Sequence, residues 1–235
     1  MSTFSWLTSR GPALSPAQVQ RRDQLPSAAA LSEQPLSRQR VVVLDLETSG
    51  LDMKRDQVLS IGAVVIEHGG INLSQQFECT LQRPDHQVSA STLIHGIAPS
   101  AIANGIEPAE GLLAFMEFLG DSPLLAFHAG FDQRMLARAL KQTLGYRLQH
   151  RFFDVAELAP MLCPQADIRH GGLDDWTRYF GLHVQQRHHA SADALVTAEL
   201  ALILFSKARS QQLDSLQALE QQLNGYRRRQ HAHSL

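Results

Sequence analysis

Cysteine is nearly absent: Cys79 and Cys163 are the only two in 235 residues. That excludes a disulfide framework and leads to the expectation of a reduced, cytoplasmic setting. No apolar run is long enough to span a bilayer, and Met1–Arg10 lacks the apolar core of a signal peptide. Neither sign of charge dominates, since 21 Lys and Arg against 23 Asp and Glu leave a formal net charge of −2. A broad basic surface for gripping duplex nucleic acid is therefore not expected. A small pocket for one strand end is still allowed, because bound metal ions supply positive charge locally. Zinc-type spacing of Cys and His is missing, and so is any internal repeat. What remains is an ordinary globular composition, 44% hydrophobic, sized for one domain with extensions or at most two small ones.

The most informative stretch is Val41-Val42-Val43-Leu44-Asp45-Leu46-Glu47-Thr48-Ser49-Gly50-Leu51. Its β-branched start predicts a buried strand. Residues i and i+2 of a strand share a face, so Asp45 and Glu47 project together. Two adjacent acids at the end of a core strand repel each other and are costly to bury. A shared divalent cation would remove that cost.

Taken in order, residues 1–39 form a polar arm, with Ser15-Pro16 able to open a short helix. Its Arg21-Arg22 pair has two readings, a contact to a nucleic-acid backbone or a solvated arm packed on the domain. Residues 40–208 form the main domain and 209–235 a C-terminal helix and basic tail. Strands are expected at 41–47, 57–67 and 73–81, joined by short turns into an antiparallel meander. Then come a helix over 108–119 with a Leu112, Phe115, Met116, Leu119 stripe, a strand at 124–127 and a helix over 133–144. A strand at 152–155 leads to a helix limited by Pro160 or Pro164. A helix closed by Gly181 and a long one over 191–208 follow, the latter with Leu195, Ala198, Leu202 and Phe205 on one face. Leu213, Leu216, Leu219 and Leu223 make a further stripe, read either as self-packing or as a docking face for a polymerase or other protein partner. The basic end from Tyr226 is expected to fray. This order predicts an α/β fold whose first strand, the most apolar, is central in a mixed sheet covered by helices.

Four carboxylates stand at element boundaries: Asp45 and Glu47 at the first strand's end, Asp132 at a helix start and Asp193 at the start of the long helix. Carboxylates suit Mg²⁺ or Mn²⁺. Each also has a plain structural reading, Asp132 as a helix cap and Asp193 as a favourable charge on the helix dipole. On one continuous helix, His188 and Asp193 would be about 500° of rotation apart, hence roughly 140° from sharing a face. With His188 in the preceding loop, both reach one site, and an imidazole, which titrates near neutrality, can serve as general base.

At these residues the chain resembles the DEDD superfamily of 3′→5′ exonucleases, DEDDh branch, and within it the proofreading epsilon subunits of bacterial DNA polymerase III and their free-standing relatives. The motifs are Leu44-Asp45-Leu46-Glu47-Thr48-Ser49-Gly50-Leu51 with Asp56-x-Val58-Leu59-Ser60-Ile61-Gly62-Ala63, then Phe127-His128-Ala129-Gly130-Phe131-Asp132, then His188-His189-Ala190-Ser191-Ala192-Asp193-Ala194. The resemblance implies a ribonuclease H-like fold, a five-stranded mixed sheet of three antiparallel then two parallel strands flanked by helices. It implies two divalent cations, Mg²⁺ or Mn²⁺, held by Asp45, Glu47, Asp132 and Asp193, with His188 as the base that activates water. Thr48, Leu51, His95 and Phe131 match positions that receive the terminal nucleotide. The implied activity is removal of nucleoside 5′-monophosphates from single-stranded DNA 3′ ends. An RNA-directed exonuclease of the ribonuclease T or oligoribonuclease kind is the alternative within the class, and a non-catalytic binding module the alternative outside it. Epsilon-type members often carry Asn where His128 stands. No clamp-binding peptide is recognisable near the C-terminus, which favours a free-standing or differently partnered exonuclease.

Overall fold

A computed structural model describes residues 13–86, 90–168, 171–183 and 188–233. Met1–Arg10, Arg187 and the last two residues of the basic tail lie outside them. The sheet has five strands, β1 Val41–Thr48, β2 Val58–Glu67, β3 Gly70–Thr80, β4 Leu124–Ala126 and β5 Phe152–Asp154, in the order β3-β2-β1-β4-β5. β1–β2 and β2–β3 pair antiparallel, while β1–β4 and β4–β5 pair parallel. β1 is central, as its composition predicts. Buried on both faces, it reads as a continuous apolar run. Val41 and Val43 enter one core cluster, and Val42, Leu44 and Leu46 the other.

Nine α-helices are assigned among the described residues. α1 (Pro16–Asp23), α2 (Ala90–His95), α3 (Pro99–Ala103), α4 (Pro108–Leu119) and α5 (Ala129–Leu144) precede β5 or flank it. α6 (Val155–Leu162), α7 (Leu173–Phe180), α8 (Ala190–Ser210) and α9 (Leu216–His233) complete the chain. α4 and α5 cover one face of the sheet, and α6, α7, α8 and α9 the other. The α4 stripe is fully buried as expected.

Two details differ from the sequence reading, and a third decides between Pro160 and Pro164 as the limit of α6. α5 begins at Ala129, four residues early, because His128 takes a left-handed conformation (φ 62°) and turns the chain directly from strand to helix. α6 continues past Pro160 to Leu162 and stops before Pro164. Pro160 is the sixth residue of this eight-residue helix. α8 has no single apolar stripe. Its buried residues, among them Ala194, Val196, Thr197, Ala198, Leu200, Ala201 and Leu204, surround much of the helix, while Leu195 and Leu202 are only partly buried. It lies against β1, β2 and β3 on one side and α6 and α7 on the other. A helix enclosed in this way loses the periodic polar face that sequence patterns depend on.

The arm is anchored. Ser15 caps α1 in a capping box with Gln18, and Arg21 makes ion pairs to Glu110 (2.5 Å) and Glu117 (2.7 Å) on α4. Arg22 pairs with Asp23 and donates to the Leu144 carbonyl oxygen. Both arginines are thus engaged within the protein. At the other end, Leu216, Leu219 and Leu223 of α9 are buried in the core. That leucine face packs on its own domain, and the helix continues through the basic segment to His233 instead of fraying at Tyr226.

Candidate active site

The site is built at the carboxyl ends of β1 and β4. Asp45 and Glu47 continue the alternation of Val41 and Val43, so they face the α8 side of the sheet. Directly across the β1–β2 ladder from Asp45 stands Gly62. A Cβ there would lie 2.1–2.4 Å from backbone atoms of Ala190 and Ser191. Gly62 therefore allows the first turn of α8 to rest on the sheet beside Asp45. That turn carries Asp193. Oxygen atoms of Asp45, Glu47 and Asp193 lie within 4.8 Å of one another, although the third is 148 residues from the first.

Asp132 approaches from α5. It is 5% exposed, and the backbone N–H groups of Asp132 itself and of Leu46, between the two β1 acids, favour its charged form. Burial above all, then the negative fields of Asp154 and Glu47, push its pKa up from 3.8 to about 8. A group held this way stays protonated at neutral pH until a cation offsets the cost. Three carboxylates within 4.8 Å, with a buried fourth beside them, fit a hard divalent cation better than any arrangement without one.

His188 lies in the loop before α8, where the spacing argument requires it. It is exposed, has a left-handed backbone (φ 60°) and donates its backbone N–H to Asp193 Oδ2 at 3.0 Å. The neighbouring His189 is occupied differently. Its Nδ1 is 3.1 Å from Ser191 Oγ and its Nε2 is 3.5 Å from Glu78.

The substrate-side expectations fall around this centre. Thr48 is buried and its hydroxyl donates to the Gly50 carbonyl oxygen at 2.8 Å, closing the turn after β1. Asp56 braces the same turn, accepting from Ser49 Oγ (2.8 Å) and the Asp52 N–H (2.7 Å). A Cβ on Gly50 would meet the Asp56 carboxylate at 2.4 Å, so a larger residue there would displace the Asp56 side chain that braces the turn. Leu51 projects to solvent, 82% exposed. Phe131 is partly buried against the α4–α5 side of the core. His95 is buried at the end of α2. Its Nδ1 accepts from the Ile97 N–H at 3.1 Å, and its Nε2 has no partner among the described residues. Its acceptor Nδ1 and its lowered pKa, caused by burial and by His86, describe a neutral imidazole.

The sequence profile of the Exonuclease family (RNase_T) matches residues 42–201, a span that contains all four carboxylates and His188. The chain belongs to this family. It is of the DEDDh 3′→5′ type, whose acid and histidine motifs coincide with the cluster just described. Among curated relatives, the DNA polymerase III PolC-type of Thermotoga maritima is 36% identical over 162 residues, 68% of this chain and 11% of the relative. The chain thus spans about a tenth of that relative's length. Among solved structures, E. coli Exonuclease I in complex with a dT13 oligonucleotide superposes with a TM-score of 0.61 at 16% identity, covering 74% of this chain and 42% of that one. Exonuclease X in complex with 5′ overhanging duplex DNA gives 0.57 at 20% identity, covering 72% and 92%. These two likenesses are of fold, the ribonuclease H-like architecture.

Within this DEDDh exonuclease, the residue that sequence reasoning missed is Asp154. It ends β5 and accepts from the N–H groups of His128 (3.0 Å) and Ala156 (2.9 Å). It therefore ties the start of α5, and with it Asp132, to the start of α6. An aspartate between a short strand and a helix was the available signal, but it reads first as a cap. The departure at His128 also has a physical reading. The position is left-handed, a conformation that Asn and His both tolerate better than most residues.

Proposed function

We propose that this chain hydrolyses the terminal phosphodiester at single-stranded DNA 3′ ends and releases nucleoside 5′-monophosphates. The observation that carries this reading is the convergence of Asp45, Glu47 and Asp193 within 4.8 Å, with Asp132 buried beside them and His188 bonded through its backbone to Asp193. Asp45, Glu47, Asp132 and Asp193 would hold two divalent cations, Mg²⁺ or Mn²⁺. When bound, such ions lower the pKa of the attacking water and offset charge on the phosphate and the departing 3′ oxygen. The protein's own part is positional. His188, on a loop outside the carboxylate cluster, takes the proton from the attacking water. The backbone bond to Asp193 keeps its loop against the site. The Thr48–Leu51 turn seats the last nucleotide, with Leu51, Phe131 and the neutral His95 against its base and sugar. Apolar stacking of this kind tolerates any base.

Association with a DNA polymerase is supported by the likeness to PolC-type polymerases. The leucine face of α9 is not available for it, being buried.

End-labelled single-stranded DNA and RNA of one sequence, incubated with Mg²⁺ or Mn²⁺, test the reading. Stepwise shortening from the 3′ end, abolished by EDTA and faster on DNA, is expected. Preference for RNA would reassign the substrate, because the 2′-hydroxyl is the discriminating group. Absence of metal-dependent shortening on either would overturn the assignment.

A further inference from the structure

Arg83, which follows β3, and Arg138 on α5 line one cleft of about 90 Å³, together with Gln57, Gln142 and Thr143. Both guanidiniums have a buried Nε with no hydrogen-bond partner. Arg83 Nη1 donates to its neighbour's carbonyl at Gln82 (3.2 Å), and among the described residues Arg138 Nη2 reaches only the Met135 sulfur at 3.9 Å. Neither has a carboxylate within ion-pair distance among the described residues, in contrast to Arg21 and Arg227, which do. Burial works against the charge on Arg83, and the field of Glu107 partly opposes that. Buried charges in proteins are paired, and two like charges sharing a cleft without an anion are doubly unfavourable.

The cleft adjoins the proposed seat of the strand end. Phe131, Met135 and Arg138 are spaced i, i+4, i+7 on α5, so Arg138 lies about 10 Å along the same helix face from Phe131. Gln57 donates its backbone N–H to Ser49 Oγ at 3.0 Å, joining the rim of the cleft to the Thr48–Leu51 turn. A volume of about 90 Å³ equals roughly three liquid-water volumes, enough for one tetrahedral oxyanion. Planar guanidinium donors match phosphate oxygens well, and Gln142 and Thr143 add neutral donors.

We propose that the Arg83–Arg138 cleft is a phosphate-binding site, separate from the metal centre, filled by a phosphate of the bound strand or by that of a free nucleotide. The phosphate chemistry stands on the cleft alone, while its placement along a strand rests on the exonuclease reading.

The test uses the full chain. Without divalent metal, inorganic phosphate should raise the melting temperature of the wild type above that in chloride of equal ionic strength. Arg138→Gln and Arg83→Gln should each lose this phosphate-specific gain. In phosphate-free buffer each variant should melt no lower than the wild type, since a like charge has been removed. A second arm measures nuclease kinetics on a long single strand. If the phosphate belongs to the strand, Arg138→Gln raises KM several-fold more than it lowers kcat, and the log–log salt slope of binding falls by about 0.7. Unchanged KM together with a lost phosphate effect would assign the site to a free nucleotide. A wild type that melts equally in phosphate and chloride would overturn the proposal. So would variants destabilised in phosphate-free buffer, because that marks a structural role. A wild type inactive on all strands would remove the exonuclease reading and leave the phosphate arm to decide this one.

Discussion

At the scale of single residues, two groups bear the largest consequences. Gly62 is where β2 and α8 touch, and a methyl group there would sit 2.1 Å from the Ala190 carbonyl carbon. Gly62→Ala must push the first turn of α8 off the sheet, and Asp193 moves with it. Overpacking of this kind costs about 1–3 kcal/mol. Divalent-metal affinity should fall together with the melting temperature, and calorimetric titration with Mn²⁺ checks it. Full affinity in a stably folded variant would contradict the argument. Asp132 sets a pH dependence. Its pKa is raised from 3.8 to about 8, so it favours the folded state below about pH 3.8, and that contribution is lost as pH rises through about 8. Without divalent metal, stability should therefore decline between pH 7 and 8.5, a range above the titration of the buried His95 and His150, whose values burial lowers. Thermal melts of the wild type and Asp132→Asn test this. The decline should be shallower in the variant, and parallel curves would contradict it.

At the scale of elements, the terminal helices differ in how they are held. α1 is fixed to α4 by partly exposed ion pairs, a kind of contact worth about 0–1 kcal/mol. α9 is fixed by leucines with almost no exposure. Leu219→Ala should therefore cost about 2–5 kcal/mol in chemical denaturation, and Arg21→Ala no more than about 1 kcal/mol. The reverse order would mean the arm, not α9, is the structural element. Legibility follows the same physics. β1 and β2 are readable as largely apolar runs rich in β-branched residues, and α4 and the terminal leucine stripe because each repeats at helical spacing. α8 was misread in detail because it is enclosed on several sides. The start of α5 was misplaced because it depends on a left-handed residue, His128, held by Asp154 from another strand. No local pattern encodes that bond.

At the scale of the whole molecule, the sheet order places the ends of β1 and β4 and the first turn of α8 at one point, which gathers acids that are far apart in sequence. The pairing of Asp45 with Glu47 was legible from strand alternation alone, whereas Asp132 and Asp193 were assigned through motif resemblance. Their convergence is a property of topology, with Gly62 as the local condition for it. No helix among the described residues is long and apolar enough to cross a membrane. The central claim is that the carboxylates hold the catalytic cations while His188 acts outside that shell. The most direct measurement pairs Mn²⁺ titration calorimetry with single-strand turnover for the wild type, Asp45→Ala and His188→Ala. Asp45→Ala should lose both metal binding and turnover, and His188→Ala should bind metal like the wild type while turnover falls about 10²–10⁴-fold. Metal binding lost in His188→Ala, or turnover retained in Asp45→Ala, would contradict the claim.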